Sequence, residues 1–283
     1  MGIGGDPPTA QTRLLRGTRP LKRWRYVGVF SEELSACAAL VQIGPARQSF
    51  WALHDRSDGS MRERTRLPPR RGEVQLTRAP TRGVAGGGAR EPGRLRIRDR
   101  GVDLDLRLEE DAGIEALCPH GGATVWTRKQ AGIEAHGTLR LDGGPARAIR
   151  ALAVIDDTAG HHARETEWRW SAGVGEGPRG EALAWNLVSG VNDPPTGSER
   201  AVWLSGEPRE VPAVSFGEDL ASIRCEDGSQ LSFVAEAERS RSDNLLILRS
   251  DYRAPFGTFS GTLPGGIELA RGHGVVEHHR ARW

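Results

Sequence analysis

The sequence predicts an all-β protein made of two antiparallel barrel or sandwich modules, on three observations. Apolar residues recur at every second position, Gly- and Asp-containing turn signals separate the alternating runs, and no long segment carries a helical period. Many short strands at such spacing define a sandwich or barrel. A chain of 283 residues buries roughly 75% of its extended surface on folding, so its core needs no disulfide or metal staple.

The clearest strand is Val102–Leu108, where Val102, Leu104, Leu106 and Leu108 alternate with Asp103, Asp105 and Arg107. Alternation of this kind puts all four apolar side chains on one face. Leu95–Arg98, Thr138–Leu141 and Leu245–Leu248 read similarly. Turns are expected at Asp58-Gly59, Asp142-Gly143-Gly144, Ser205-Gly206, Asp227-Gly228 and Pro264-Gly265-Gly266. Ser31–Val41 fits either a short helix or a strand. Gly83–Gly93 is low-complexity and reads as a flexible surface loop. Residues 1–18 read as a flexible lead-in. The Gly/Pro-rich stretch Gly173–Gly180 lies near a change in charge and is taken as the boundary between an N-terminal module (19–175) and a C-terminal module (176–283).

The net charge of +2 conceals that change: residues 1–150 carry 26 basic and 17 acidic side chains, residues 151–283 carry 13 and 20. Twelve arginines lie between Arg62 and Arg100, yet that stretch has no Phe, Tyr or Trp. A single-strand nucleic-acid surface needs aromatic stacking partners beside its cations, and no nucleic-acid-binding motif accompanies the arginines. The expected partner is therefore not nucleic acid. No apolar run approaches the ~20 residues of a membrane helix, and the N-terminus lacks a signal-peptide pattern, so no integral membrane association is expected. Cys37, Cys118 and Cys225 are too widely spaced for a zinc or redox motif and odd in number, which suits a reducing cytoplasm.

Candidate chemistry concentrates after Cys118. Lys129 ends a predicted strand. In Asp156–Trp170, strand alternation would set Arg164, Thr166, Trp168 and Trp170 on one face. Two indole rings with a hydroxyl and a guanidinium can line an apolar ligand pocket or belong to the core. Asn186 lies inside an apolar strand, and Asn192 and Glu199 flank a turn; each, if buried, must be paired, as a structural bridge or as a site residue. Glu277 and His279 fall on one face of the last strand, an acid–imidazole pair suited to general acid–base work. His161 and His162 with Glu165 do not share a face as metal ligands must, and Gly173-Val-Gly-Glu-Gly is followed by no helix. No metal and no cofactor are assigned.

The chain resembles a bacterial family known as domain of unknown function 2804. The resemblance rests on Leu21–Tyr26 with Gly28, Gly44–Trp51, Trp126–Lys129, Asp156–Trp170, Asn186-Leu187, Gly190–Asn192, Glu199 with Trp203, Phe256–Gly261, and Glu277-x-His279 up to Trp283. Two departures bear on loop geometry: Asn192-Asp-Pro-Pro replaces an Asn-Glu-Thr-Gly turn, and Asp157 stands where the family tends to have Trp. The family's architecture is similar to that of two-domain lipocalin-like proteins, among them carotenoid hydratases and some fungal cyclases. This implies two lipocalin-like modules, an analogy of fold that does not fix chemistry.

The expected function is a cofactor-independent hydratase, lyase or isomerase acting on an apolar small molecule between the modules. Glu199, or Glu277 with His279, would be the acid–base group. Lys129, Asp156, Arg164, Trp168, Trp170, Asn186 and Asn192 would bind and orient the substrate. The alternative is a non-catalytic carrier or sensor of a lipid- or isoprenoid-like ligand.

Overall fold

The computed structural model describes residues 13–77, 93–245 and 248–282. The low-complexity segment, apart from Gly93, and most of the lead-in lie outside these residues. Residues 13–20 contain a minimal hairpin, β1 (Leu15–Arg16) against β2 (Arg19–Pro20).

The first sheet is formed by β3 (Lys22–Phe30), β4 (Leu34–Ile43), β5 (Ala46–Asp55), β6 (Ser60–Arg66), β7 (Val74–Leu76), β8 (Gly93–Asp99), β9 (Val102–Leu108), β10 (Ile114–His120), β11 (Ala123–Leu141) and β12 (Arg147–Gly160). The second contains β13 (Glu165–Glu176), β14 (Ala182–Ser189), β15 (Ala201–Leu204), β16 (Glu207–Glu210), β17 (Val214–Phe216), β18 (Ser222–Cys225), β19 (Gln230–Leu245), β20 (Leu248–Leu263) and β21 (Ile267–Arg282). Every strand pair among the described residues is antiparallel, and Ser31–Val41 holds no helix: a bend at Glu32-Glu33 leads into strand β4 from Leu34. Each turn named from the sequence lies between strands.

The two sheets share one wiring. The first runs β6-β5-β4-β3-β12-β11-β9-β8-β7, with β10 also on β11, and the second runs β16-β15-β14-β13-β21-β20-β19-β18-β17. In each, the first long strand pairs with the last. Both sheets curl, so that β7 packs on β4 and β5 while β17 packs on β14. This is an all-β, lipocalin-like architecture. The chain leaves the first sheet at Gly160 and enters the second at Glu165, so Gly173–Gly180 spans the β13–β14 hairpin within the second sheet.

Three cores result. One fills the curl of the first sheet, with Val27, Leu53, Leu104 and Ile155; another fills the second, with Trp185, Leu187, Phe233 and Phe259. The third lies between the sheets and takes Tyr26, Phe30, Val154, Trp170 and Phe256. Strands β3 and β14 thus bury both faces: Val27 and Val29 point inward from β3 while Tyr26 and Phe30 point to the partner sheet. Neither strand therefore turns a whole face to solvent.

Bulges in the strands set which residues reach the intersheet layer. On β11 the register shifts between Ala131 and Ile133 at Gly132. Ala131 belongs to the intersheet core, whereas Ile133 and Ala135 belong to the first-sheet core. One extra residue exchanges the faces of everything beyond it, so Lys129 faces the partner sheet. A shift between Ala235 and Ala237 does the same on β19: Phe233 packs in the second-sheet core and Arg239 in the layer between sheets.

The arginine-rich stretch meets carboxylates from neighbouring strands and turns. Arg94 pairs with Asp105 at 2.5 Å, Arg98 with Asp103 at 3.1 Å, Arg62 with Asp142 at 2.6 Å and Arg66 with Glu73 at 2.9 Å. A second cluster is buried: Arg25 lies 2.5 Å from Glu110 and 2.7 Å from Asp157, which also accepts from Arg128 at 2.7 Å. Arg25 is 0% exposed. Replacing it leaves buried carboxylates short of a cation, so Arg25→Leu should cost about 3–5 kcal/mol. A lowered urea midpoint with unchanged slope is the expected reading; an unaltered midpoint would show that the cluster does not depend on this guanidinium.

Candidate functional site

Between the sheets lies a cavity of about 180 Å³, on the order of ten times the space one water requires. Alternation supplies its walls. Lys22, Trp24 and Tyr26 enter from β3, Asp156 and Thr158 from β12, Trp168 and Trp170 from β13, and Glu277 and His279 from β21. Tyr252, Arg239 and Phe50 close another side, with the Arg239 guanidinium 4.0 Å from the Phe50 ring centre and 4.8 Å from that of Tyr252. These are cation–π distances.

Seven of the residues singled out in the sequence line this cavity: Lys129, Asp156, Trp168, Trp170, Asn192, Glu277 and His279. Asn186 and Glu199 lie directly behind them. The Asn186 Oδ1 accepts from Trp170 Nε1 at 2.8 Å, and its Nδ2 donates to the Glu199 carbonyl at 2.7 Å. Arg164 is not brought to the cavity. It lies exposed in the bend that carries the chain from one sheet to the other, one residue before the alternation of β13 begins. Thr166, Trp168 and Trp170 keep the shared face that alternation predicts.

Lys129 is the hub of the polar wall, with Nζ 2.6 Å from Asp156 and 3.2 Å from Glu199. Burial acts to lower its pKa, but the two carboxylates outweigh burial and hold the ammonium above its ordinary range. Burial raises the Glu199 carboxyl against the pull of Lys129, and Asp156 adds repulsion. Asp156 also accepts from Trp24 Nε1 at 2.9 Å and Thr158 Oγ1 at 2.9 Å. Asn192 donates to Glu199 at 2.9 Å from a left-handed backbone, φ 54°, which Asn tolerates better than most residues. Its loop is pinned by Arg200, whose guanidinium donates to the carbonyls of Asp193 and Pro194. The buried Asn192 Oδ1 has no hydrogen-bond partner among the described residues, leaving an acceptor at the cavity wall.

Glu277 has a different environment. It accepts from Trp168 Nε1 at 2.8 Å and from the Tyr252 hydroxyl. Burial pushes its carboxyl up to about 7 despite those two donors. Burial likewise drives His279 down to about 3, helped by the charges of Lys22, His278 and Arg239, so its imidazole is neutral. His279 contacts Ser250 Oγ through Nε2 at 2.8 Å and packs against the Trp168 edge at 4.3 Å between centres. The anticipated acid–imidazole pair does share the cavity face, with Trp168 and Tyr252 touching both residues. A carboxyl with a pKa near 7 between neutral donors can give or take a proton.

Sequence reasoning missed Lys22, Trp24, Tyr26, Arg239 and Tyr252. The signal for the first three was present, since Lys22, Trp24 and Tyr26 alternate with Arg23 and Arg25. Either set reads as the polar face until burial shows that both are covered.

Fold and site together define an all-β, lipocalin-like protein with a cavity lined by aromatic and charged residues between its sheets. Residues 9–283 match the family described as Domain of unknown function (DUF2804), and the chain belongs to that family. No curated protein sequence matches it. Among solved structures it is similar to an AttH protein of Nitrosomonas europaea, with a TM-score of 0.57, 13% identity, and 97% of this chain and 98% of that one covered. It is also similar to kievitone hydratase of Nectria haematococca, with a TM-score of 0.54 and 12% identity over 98% and 96% of the two chains. CghA gives a TM-score of 0.50 and 11% identity over 98% and 97%. At such identities the likeness is one of fold. Among the described residues no helix is long and apolar enough to cross a membrane.

The Glu277 carboxyl ties stability to pH. Its ordinary value is 4.5 and its folded value about 7, so between those values the folded chain keeps a proton that the unfolded chain releases. The stabilisation is complete below pH 4.5 and lost as pH rises through 7. Stability of the parent relative to Glu277→Gln should therefore fall by about 3 kcal/mol across that window, at 1.36 kcal/mol per pKa unit. Urea unfolding at a series of pH values measures it; a constant difference would mean that Glu277 titrates at an ordinary pKa.

Proposed function

We propose that this chain is a cofactor-independent hydratase, lyase or isomerase for an apolar small molecule, with Glu277 as its acid–base group. The carrying observation is a carboxyl poised near neutrality by burial and held by Trp168 and Tyr252 at an aromatic cavity wall. A general acid–base group works best when its pKa lies near the working pH. Aromatic walls would hold the apolar body of the substrate. The open Asn192 acceptor and the Tyr252 hydroxyl would orient its polar end. His279, neutral at physiological pH, would pass or accept a hydrogen bond without adding charge.

Glu199 has a positioning part in this reading. Its carboxylate is held by Lys129 and Asn192, which fixes the loop that carries Asn192 to the cavity. Asn186 supports the same loop from behind. Lys129 and Asp156 set the polarity of one wall. The fold likeness to kievitone hydratase lends support at the level of architecture only. A carrier for a lipid- or isoprenoid-like ligand is favoured by one observation, that Lys129, Asp156 and Glu199 are engaged with one another within the wall.

Incubation with a panel of apolar alkenes and conjugated carbonyl compounds, followed by mass analysis of the recovered ligand, separates the two readings. Catalysis returns a hydrated or isomerised product; a carrier returns the ligand unchanged. For a converted substrate, Glu277→Gln should lower kcat/KM by about 10²- to 10⁴-fold, with Arg164→Ala near parental activity. Full activity in Glu277→Gln would remove the assigned role.

A further inference from the structure

Arg239 and Arg241 both line the cavity from β19, and their partners differ. Arg241 donates to both carboxylate oxygens of Asp243, at 2.6 and 2.8 Å. Arg239 is 3% exposed and has no such carboxylate. A guanidinium carries five N–H donors. That of Arg239 donates through Nη2 to Thr65 Oγ1 at 2.7 Å, the hydrogen-bond acceptor it meets among the described residues. Its Nε is buried without a hydrogen-bond partner among those residues. Glu63 stands 3.6 Å from that Nε, too far for a hydrogen bond, and the facing Glu63 oxygen makes none either. The Glu63 side chain is 43% exposed, so solvent shares its charge. Three buried acids feel the Arg239 charge, and burial favours the neutral form of each. Cys37 is raised to about 11, Tyr252 well above its ordinary value, and Glu277 to about 7. A buried guanidinium with open donors suits an anion, and its planar fork matches a carboxylate.

We infer that Arg239 seats the carboxylate of an apolar acid whose hydrocarbon body lies along the aromatic wall of the cavity. The inference rests on the reading of that cavity as a site for apolar small molecules. Phe50 and Tyr252 hold the guanidinium by cation–π contact, and Thr65 fixes one arm of its fork. The open N–H groups donate to the carboxylate oxygens, and no covalent bond is made or broken. The seat also bears on Glu277. Tyr252 touches both Arg239 and Glu277, so a carboxylate on the guanidinium brings negative charge toward the Glu277 carboxyl. A nearby like charge favours the protonated form, which keeps Glu277 a proton donor toward the body of the bound acid. This narrows the ligand from apolar molecules in general to apolar carboxylic acids bound as anions.

The test uses the full chain and tryptophan fluorescence, because Trp24, Trp168 and Trp170 line the cavity. The probes are octanoate and octanol, which share an apolar chain and differ in the anionic end. Both should bind saturably, octanoate tighter by about tenfold or more, the worth of a hydrogen bond to a charged group. Arg239→Gln should remove that preference and leave octanol affinity within about twofold, because the lost interaction belongs to the anion alone. Octanol binding by the variant shows that its cavity is intact. A second measurement needs no variant: octanoate labelled at its carboxyl carbon is titrated with acid on the parent protein and read by NMR. Seated on a guanidinium, the bound carboxyl titrates below the free acid; buried away from any cation, it titrates above. Octanol binding with no preference for octanoate, a preference that survives in Arg239→Gln, or a bound carboxyl titrating at or above the free acid overturns the Arg239 seat. Each of these leaves the cavity reading standing. Absence of saturable binding by either probe overturns both.

Discussion

Contact between the two sheets depends on a buried cation. Lys129 belongs to the first sheet, Asp156 is its direct cross-strand neighbour, and Glu199 comes from the loop that leads into β15 of the second. A buried ammonium is tolerable only where carboxylates surround it closely. Once Lys129 is placed, Glu199 must meet it, and the loop from Gly190 to Arg200 must close around that meeting. Asn186, Asn192 and the Arg200 guanidinium hold the loop in that position. The polar wall of the cavity is therefore also the joint between the sheets.

Around this joint the cavity divides into two electrostatic regions. On the Lys129 side, one ammonium is paired with two carboxylates, and their hydrogen bonds are largely made within the protein. On the Glu277 side, aromatic rings surround a carboxyl and an imidazole that burial drives toward their neutral forms. Groups near neutrality in an apolar chamber can exchange protons or react with a ligand, whereas a satisfied ion cluster holds geometry. The two regions thus use similar residue types and differ in what surrounds them.

The two sheets repeat one wiring at different residues, and the repeat is not visible in the sequence. Shared topology needs only alternation and turns at matching places, which many sequences satisfy. What differs between the sheets is the identity of the residues aimed into the layer between them. That difference makes the cavity asymmetric, with the ion cluster on one side and the aromatic carboxyl on the other.

Alternation and turn chemistry were legible in the residues themselves, because strand periodicity and Asp-Gly or Gly-Gly turns are local properties. The same locality placed Glu277 with His279 and Trp168 with Trp170 on common faces. Arg164 was misplaced because the strand starts one residue later, after a crossing that no local signal marks. Lys22, Trp24 and Tyr26 were passed over because a strand buried on both faces has no polar side by which to orient it. The bulge at Gly132 decided that Lys129 faces the partner sheet, and the one between Ala235 and Ala237 did the same for Arg239. The sequence by itself determined where the strands lie and which side chains share a face. Only the tertiary structure decided which face became core and which became cavity, and which carboxyl stays near neutrality, because burial and partner distance belong to the packed sheets and to no single strand.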